Sequence, residues 1–152
     1  MLELENLEDT KGYVGKELGV SDWMTVDQAM IDKFADATGD HQWIHVDVER
    51  CRAEMPDGKT IAHGYLTLSL LPLLAKDIMS VKNRSRGINY GSNKLRFTNM
   101  VPAGSRIRLR QTLDNVEVLK NGGYQMTYGS TIEIEGQERP ALIAETIALI
   151  FP

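Results

Sequence analysis

The chain has 152 residues, a formal net charge of −4, 42% hydrophobic and 25% charged residues, and one cysteine, Cys51. That is the balance of a single folded domain, expected over residues 1–152, and it excludes disordered, collagen-like and disulfide-stapled chains. The acidic balance gives no global field for nucleic acid or an anionic membrane, and a lone cysteine suits a reducing, cytoplasmic setting.

The first twelve residues, MLELENLEDTKG, lack the basic start and apolar core of a signal peptide. Thr25 then precedes VDQAMIDKFADATG, where Val26, Ala29, Met30, Phe34 and Ala37 recur at helical spacing. Thr25 is the expected N-cap, and Gly39 the expected stop. A second short helix is expected from Asp47 to Met55, ended by the turn chemistry of Met55-Pro56-Asp57-Gly58. Gly64 opens a third segment, YLTLSLLPLLAKDIM, whose apolar residues cover almost the whole circumference. That pattern predicts one helix enclosed on all sides and bent at Pro72. The run is shorter than the ~20 residues of a membrane span and carries Lys76 and Asp77.

After Arg86 the signals are those of strands, with turns at Val101–Gly104 and Asn121–Gly123. Ile107, Leu109 and Thr112 are expected on the covered face of one strand, and Arg106, Arg108 and Arg110 on its wet face. Helical signals up to about residue 80, followed by antiparallel strands, predict an α+β fold whose sheet wraps one central helix.

The titratable residues concentrate between Asp36 and Asp47, and the third histidine, His63, stands just before Gly64. Asp40 and His45, five residues apart in a loop, can converge on one small molecule such as water, as acid–base chemistry requires. The competing reading, the commoner one for an Asp and a His at such spacing, is a turn cap and a satisfied structural histidine. His41, His45 and His63 form a conceivable metal set, but Gly39, Trp43 and Ile44 argue against a regular helix there and no cysteine lies near. No metal is expected. Gly64 at a helix start lets a carbonyl oxygen approach unpaired backbone N–H groups, which makes it a candidate oxyanion donor; tight packing explains it equally. Cys51 reads as structural, Ser69 lies in no nucleophile elbow, and no phosphate-binding or dinucleotide-binding glycine motif occurs.

Gly39-Asp40, His45-x-Asp47 and Ile61-Ala62-His63-Gly64 before an apolar helix resemble the MaoC-like (R)-specific enoyl-CoA hydratases, in their nodulation-protein-N-like branch. Leu95–Gly104 fits the strand and turn after that family's central helix. The resemblance implies a hotdog fold: a central helix wrapped by an antiparallel sheet, in a homodimer. It also implies a cofactor-free lyase of fatty acid metabolism with an acyl-CoA thioester as its partner. Asp40 and His45 would be the catalytic pair, the Gly64 N–H the oxyanion hole, and Gln42 and His63 supporting residues. Gln42 and Trp43 stand where the family motif has Asn and Pro, and Pro72 where some members have Ser. CoA phosphates need cations, and Lys82, Arg84, Arg86, Lys94 and Arg96 form a local basic region, a solvated face being the alternative; Asn93, Lys94 and Arg96 are the substrate-binding candidates. An acyl-CoA thioesterase and a non-catalytic acyl-binding or signalling module are the competing readings.

Overall fold

The computed structural model describes residues 1–152. Four long strands form its frame: β5 (Arg86–Phe97), β6 (Ser105–Val118), β7 (Tyr124–Ile134) and β8 (Leu142–Phe151). The main sheet is antiparallel in the order β2-β6-β7-β8-β5, with β2 (Lys16–Val20) at one edge, β5 at the other, and β3 (Met24–Val26) also paired to β6. The expected turns are present, with Gly104 and Gly122 at φ values of 88° and 83°, which only glycine adopts without cost. On β6 the covered face is Ile107, Leu109, Gln111 and Leu113. Thr112 is not on it: the two-residue period gives the inward position to Gln111.

The N-terminal half is less helical than its sequence suggests. It holds β1 (Leu2–Leu4), a 3-10 helix (Leu7–Tyr13), β2 and β3 before the first α-helix, and β1 pairs in parallel with β4 (Met79–Val81). These strands have three to five residues, too few for periodicity to declare them. Helix α1 (Gln28–Thr38) is capped by Asp27, whose carboxylate accepts from Met30 N, and not by Thr25, which pairs in β3. Its buried positions are Ile31 and Ala35, whereas Ala29 and Ala37 are exposed. Gly39 ends it at φ 80°. Helices α2 (Trp43–Val46) and α3 (Val48–Glu54) follow, and Asp47 caps α3 through Arg50 N.

The expected single central helix is two: α4 (Gly64–Ser69) and α5 (Leu71–Ala75), joined at Leu70. Pro72 lies in the first turn of α5, where its missing N–H leaves no carbonyl unpaired, so the proline starts a helix and does not bend one. Nor is the segment enclosed all round: Leu66, Leu70, Leu71 and Leu74 join the core, while Tyr65 and Leu73 are 67% and 49% exposed. The core they enter is built on Ile107, Leu109 and Leu113 of β6, Met126 and Ile132 of β7 and Leu142 of β8. The architecture is α+β, with the helices packed on the concave face of the sheet, and no helix is long and apolar enough to cross a membrane.

Candidate active site

Between Gly39 and Gly64 the chain leaves the sheet; backbone bonds of Thr60 and Ala62 to Ala103 and Val101 bring it back, and side-chain bonds fold the excursion onto itself. His45 sits on the single turn of α2, 7% exposed, with Nδ1 2.7 Å from the Ile61 carbonyl. A carbonyl only accepts, so Nδ1 carries the proton and Nε2 of the neutral ring is left bare as an acceptor. Burial pushes the proton affinity of His45 below the usual histidine value. The Ile61 bond and the Asp40 charge pull the other way, and His63 adds to the burial effect.

His63 is 2% exposed and stacks on His45, with ring centres 3.8 Å apart and planes 25° apart. Its Nε2 donates to the Asp40 backbone carbonyl at 2.9 Å, and its Nδ1 is buried without a partner. Phe34 of α1 closes the other side of the His63 ring at 4.9 Å. Asp40 itself is exposed; its carboxylate accepts from Gln42 N at 3.4 Å. One nitrogen of each histidine and one Asp40 carboxylate oxygen lie within 4.8 Å of one another.

That triad is also the donor set of a metal site, so its geometry needs reading. A metal bonds in the plane of each imidazole, at about 2 Å from nitrogen. Two planes only 25° apart at a centre distance of 3.8 Å meet much farther out than that. The stacked rings point side by side and do not converge on one ion. His41 stays outside the set, exposed and paired with Asp36 at 2.9 Å, a bond that raises its proton affinity.

Beside His45 a cleft of about 390 Å³ is lined by Gly64, Thr67, Phe97, Asn99 and Arg139 among others. Gly64 holds the first position of α4, where no carbonyl of the helix is available to its N–H. A Cβ at this position would sit 2.9 Å from the Phe97 ring, so glycine keeps the passage between helix and strand open.

Asp40, His45, His63 and Gly64 are therefore brought together. Gln42 contributes only backbone, its N–H to Asp40 and its carbonyl to His45 N; its amide makes no hydrogen bond. Asn93, Lys94 and Arg96 are not brought to the cleft. Asn93 bonds Glu145, and Lys94 and Arg96 pair in register with Glu145 and the exposed Ile143, on the outer side of the sheet. Lys82 is spent on Glu5, and Arg86 lies over the Phe151 ring. Cys51 is buried, and burial raises its thiol above the usual range, which suits a structural role.

Three residues carried no signal in the sequence. Gln28 of α1 donates to the His45 carbonyl at 2.8 Å and accepts from Thr60, so it pins α2 from seventeen positions away. Phe97 reads only as a strand aromatic, and Arg139 only as a charge at the start of the last strand segment. Their roles come from chain crossings that local patterns do not encode.

Comparison with known proteins agrees with this architecture. A family model described as a MaoC like domain matches residues 9–134. The chain is 50% identical over 147 residues to 3-hydroxyacyl-thioester dehydratase Z of Mycobacterium tuberculosis, covering 97% of each. It is 47% identical to Nodulation protein N of Rhizobium leguminosarum, covering 95% of this chain and 91% of that one. The crystal structure of a MaoC-like dehydratase from Rhodospirillum rubrum superposes with a TM-score of 0.75 at 23% identity, covering 95% of both chains. A hotdog fold, a whole-length match and half-identity to a dehydratase together establish that this chain belongs to the MaoC-like dehydratase family.

Proposed function

We propose that the protein is an (R)-specific enoyl-CoA hydratase, adding water reversibly to a trans-2-enoyl-CoA to give an (R)-3-hydroxyacyl-CoA. The observation that carries this reading is the bare, neutral Nε2 of His45 beside the Asp40 carboxylate, at the edge of a cleft that also presents the Gly64 N–H. The dehydratase named above for its mycobacterial relative would run the same equilibrium in reverse.

Asp40 and His45 hold one water between them. As its oxygen bonds to C3, the pair takes one proton from it and returns one proton to C2. Net addition of H and OH leaves both side chains as they began. Electron density shifts onto the thioester oxygen, where the Gly64 N–H stabilises it; losing such a donor typically costs ~3–4 kcal/mol. His63 is the supporting residue, holding the Asp40 backbone and one face of His45. Arg139, exposed at the rim of the cleft, is the cation best disposed for a CoA phosphate. The unpaired edge strand β5, with Ile88 47% and Tyr90 64% exposed, is the edge through which two copies would join as a homodimer.

Hydration of crotonyl-CoA, followed by loss of enoyl absorbance, tests the reading. Absorbance loss giving the (R) product is the expected result. Release of free CoA from saturated acyl-CoA with no hydration would identify a thioesterase. Tight acyl-CoA binding without turnover would identify a binding module. Either result would overturn the proposal.

A further inference from the structure

A second, larger cavity of about 850 Å³ lies between α4–α5 and strands β5 and β8. Its floor is the concave face of the sheet, and the strand register lets that floor be read row by row. The row nearest the cleft is Leu109–Ile132–Leu142–Phe97. The next is Gln111–Ser130–Ala144–Leu95, then Leu113–Tyr128–Thr146–Ser92, and then Val116–Met126–Ala148–Asn89. Gln111, Ser130, Tyr128 and Thr146 thus form a contiguous polar island, between Leu109–Ile132–Leu142 on one side and Val116–Met126–Ala148 on the other.

The island is poorly satisfied by its own members. Gln111 is 7% exposed, and its amide reaches Ser130 Oγ only at 3.4 Å. The Tyr128 hydroxyl bonds a thioether, Met126 Sδ, a weak acceptor. Thr146 has no side-chain partner, and Gln111, Tyr128 and Thr146 all line the cavity. Burying polar groups in an apolar floor costs stability unless they are hydrogen-bonded. An unbranched aliphatic chain laid over them would leave them unpaired, whereas an oxygen atom on that chain would pair with them.

We infer that the cavity selects acyl groups that carry a hydroxyl or carbonyl oxygen away from the thioester, and that Gln111 and Tyr128 read that oxygen. This rests on the reading of the cleft as an acyl-thioester site. The island begins two residues beyond the Phe97 row and extends to four, about 7 to 13 Å at a rise of ~3.3 Å per residue. Counted along the sheet from the Phe97 row, that span exceeds a crotonyl group and matches an acyl chain of medium length.

Calorimetric titration of the intact protein with saturated acyl-CoAs of six, eight and ten carbons, each with and without a terminal hydroxyl, tests the inference without turnover. For at least one length the hydroxylated ligand is expected to bind about tenfold tighter, the worth of one well-made buried hydrogen bond. In Gln111→Leu and Tyr128→Phe, both close in shape and checked for fold by circular dichroism, that preference is expected to fall to about twofold or less. Equal or weaker binding of every hydroxylated ligand would overturn the inference, as would a preference that survives both substitutions. Crotonyl-CoA hydration by the unaltered protein is read separately: its absence would count against the hydratase, and the binding preference would still decide the island.

Discussion

The sheet and the Gly39–Gly64 excursion hold their shapes by different means. In the sheet, β5 to β8 are fixed by long backbone ladders broken only by single-residue bulges, and side chains on both faces ride on a frame that does not depend on any one of them. In the excursion, α2 and α3 have four and seven residues, too short to be stable alone. Their positions depend on a few polar contacts: His45 to the Ile61 carbonyl, His63 to the Asp40 carbonyl, and Gln28 to His45 and Thr60. Single substitutions in the excursion should therefore lower activity far more than stability, and those in the sheet should do the reverse.

The largest effect is expected at the proposed catalytic pair. Asp40→Asn and His45→Gln should each lower kcat by about 100-fold or more, the usual worth of a positioned acid–base group. Thermal unfolding should stay within a few degrees, because Asp40 is exposed and Gln retains a donor near Ile61. Near-normal turnover of either folded variant would end the assignment. The pH profile sharpens it. His45 binds its proton more weakly in the folded protein than the ~6.5 of a free imidazole, so it is neutral and competent at pH 7. The unfolded chain then holds more protons between the two values, and stability rises with pH through that window. Stability should start to fall as the pH drops below ~6.5, and activity should follow at the lower pH where the folded ring takes up its proton; a rise of either on acidification would contradict a neutral, Nδ1-protonated His45.

Gly64→Ala follows, because it closes the passage and leaves the chemistry untouched. The new Cβ would meet the Phe97 ring at 2.9 Å, and the ring must swing into the cleft or push α4 away. Turnover is expected to fall ~10- to 100-fold, less than the ~100- to 1,000-fold of a lost oxyanion donor because the N–H itself remains. Gly64→Ala, Phe97→Leu, with room for the methyl group, should recover part of it. No recovery would mean that the backbone, and not the ring, is what glycine serves.

The tethers themselves come next. His63→Phe keeps a ring against His45 but loses the donor to the Asp40 carbonyl, whereas His63→Gln keeps a donor and loses the stack. Each should cost about tenfold in kcat, the order of a misplaced catalytic group, with KM little changed. Both substitutions should move the acid limb of the pH profile upward, since each removes the His63 ring, whose electrostatic influence weakens proton binding at His45. An acid limb that does not move in either variant would reduce His63 to a packing residue. Gln28→Leu should cost a similar factor in kcat without moving that limb, because it frees the His45 carbonyl from α1 and removes no charge.

The long strands and the clustering of the candidate site residues were legible in the sequence for the same reason: each is a local pattern. Alternation marks β6, and Asp40, His45, His63 and Gly64 stand close together along the chain. What failed was the reading of surfaces whose partners are distant. An apolar run from Tyr65 to Met79 cannot say that Tyr65 and Leu73 point outward, and Lys94 and Arg96 cannot say on which side of β5 they fall. A bulge between Ser92 and Lys94 shifts that parity, and nothing in the sequence marks it. The tether at Gln28 was invisible because one glutamine on a helix looks like any solvated residue.

The smallest effect is expected on the outer face of the sheet, and it completes the contrast. Arg108 and Arg110 both bond Glu133 across β6 and β7, and Arg110 also reaches Glu17 of β2. Burial raises the proton affinity of Glu133, but the two guanidinium groups outweigh it and hold the carboxyl below its usual range. That network contributes stability above the ordinary carboxylate pKa, and the contribution is lost as pH falls through the lowered value. The groups remain partly solvated, so Glu133→Gln should cost no more than ~1 kcal/mol at neutral pH. The difference between the two proteins should shrink in acid and in high salt. Turnover should be unchanged, because the ladder between β6 and β7 is made of backbone bonds that the substitution does not touch. A tenfold loss of activity in Glu133→Gln, with stability intact, would show that the outer face reaches the site and that the sheet is not the independent frame described above.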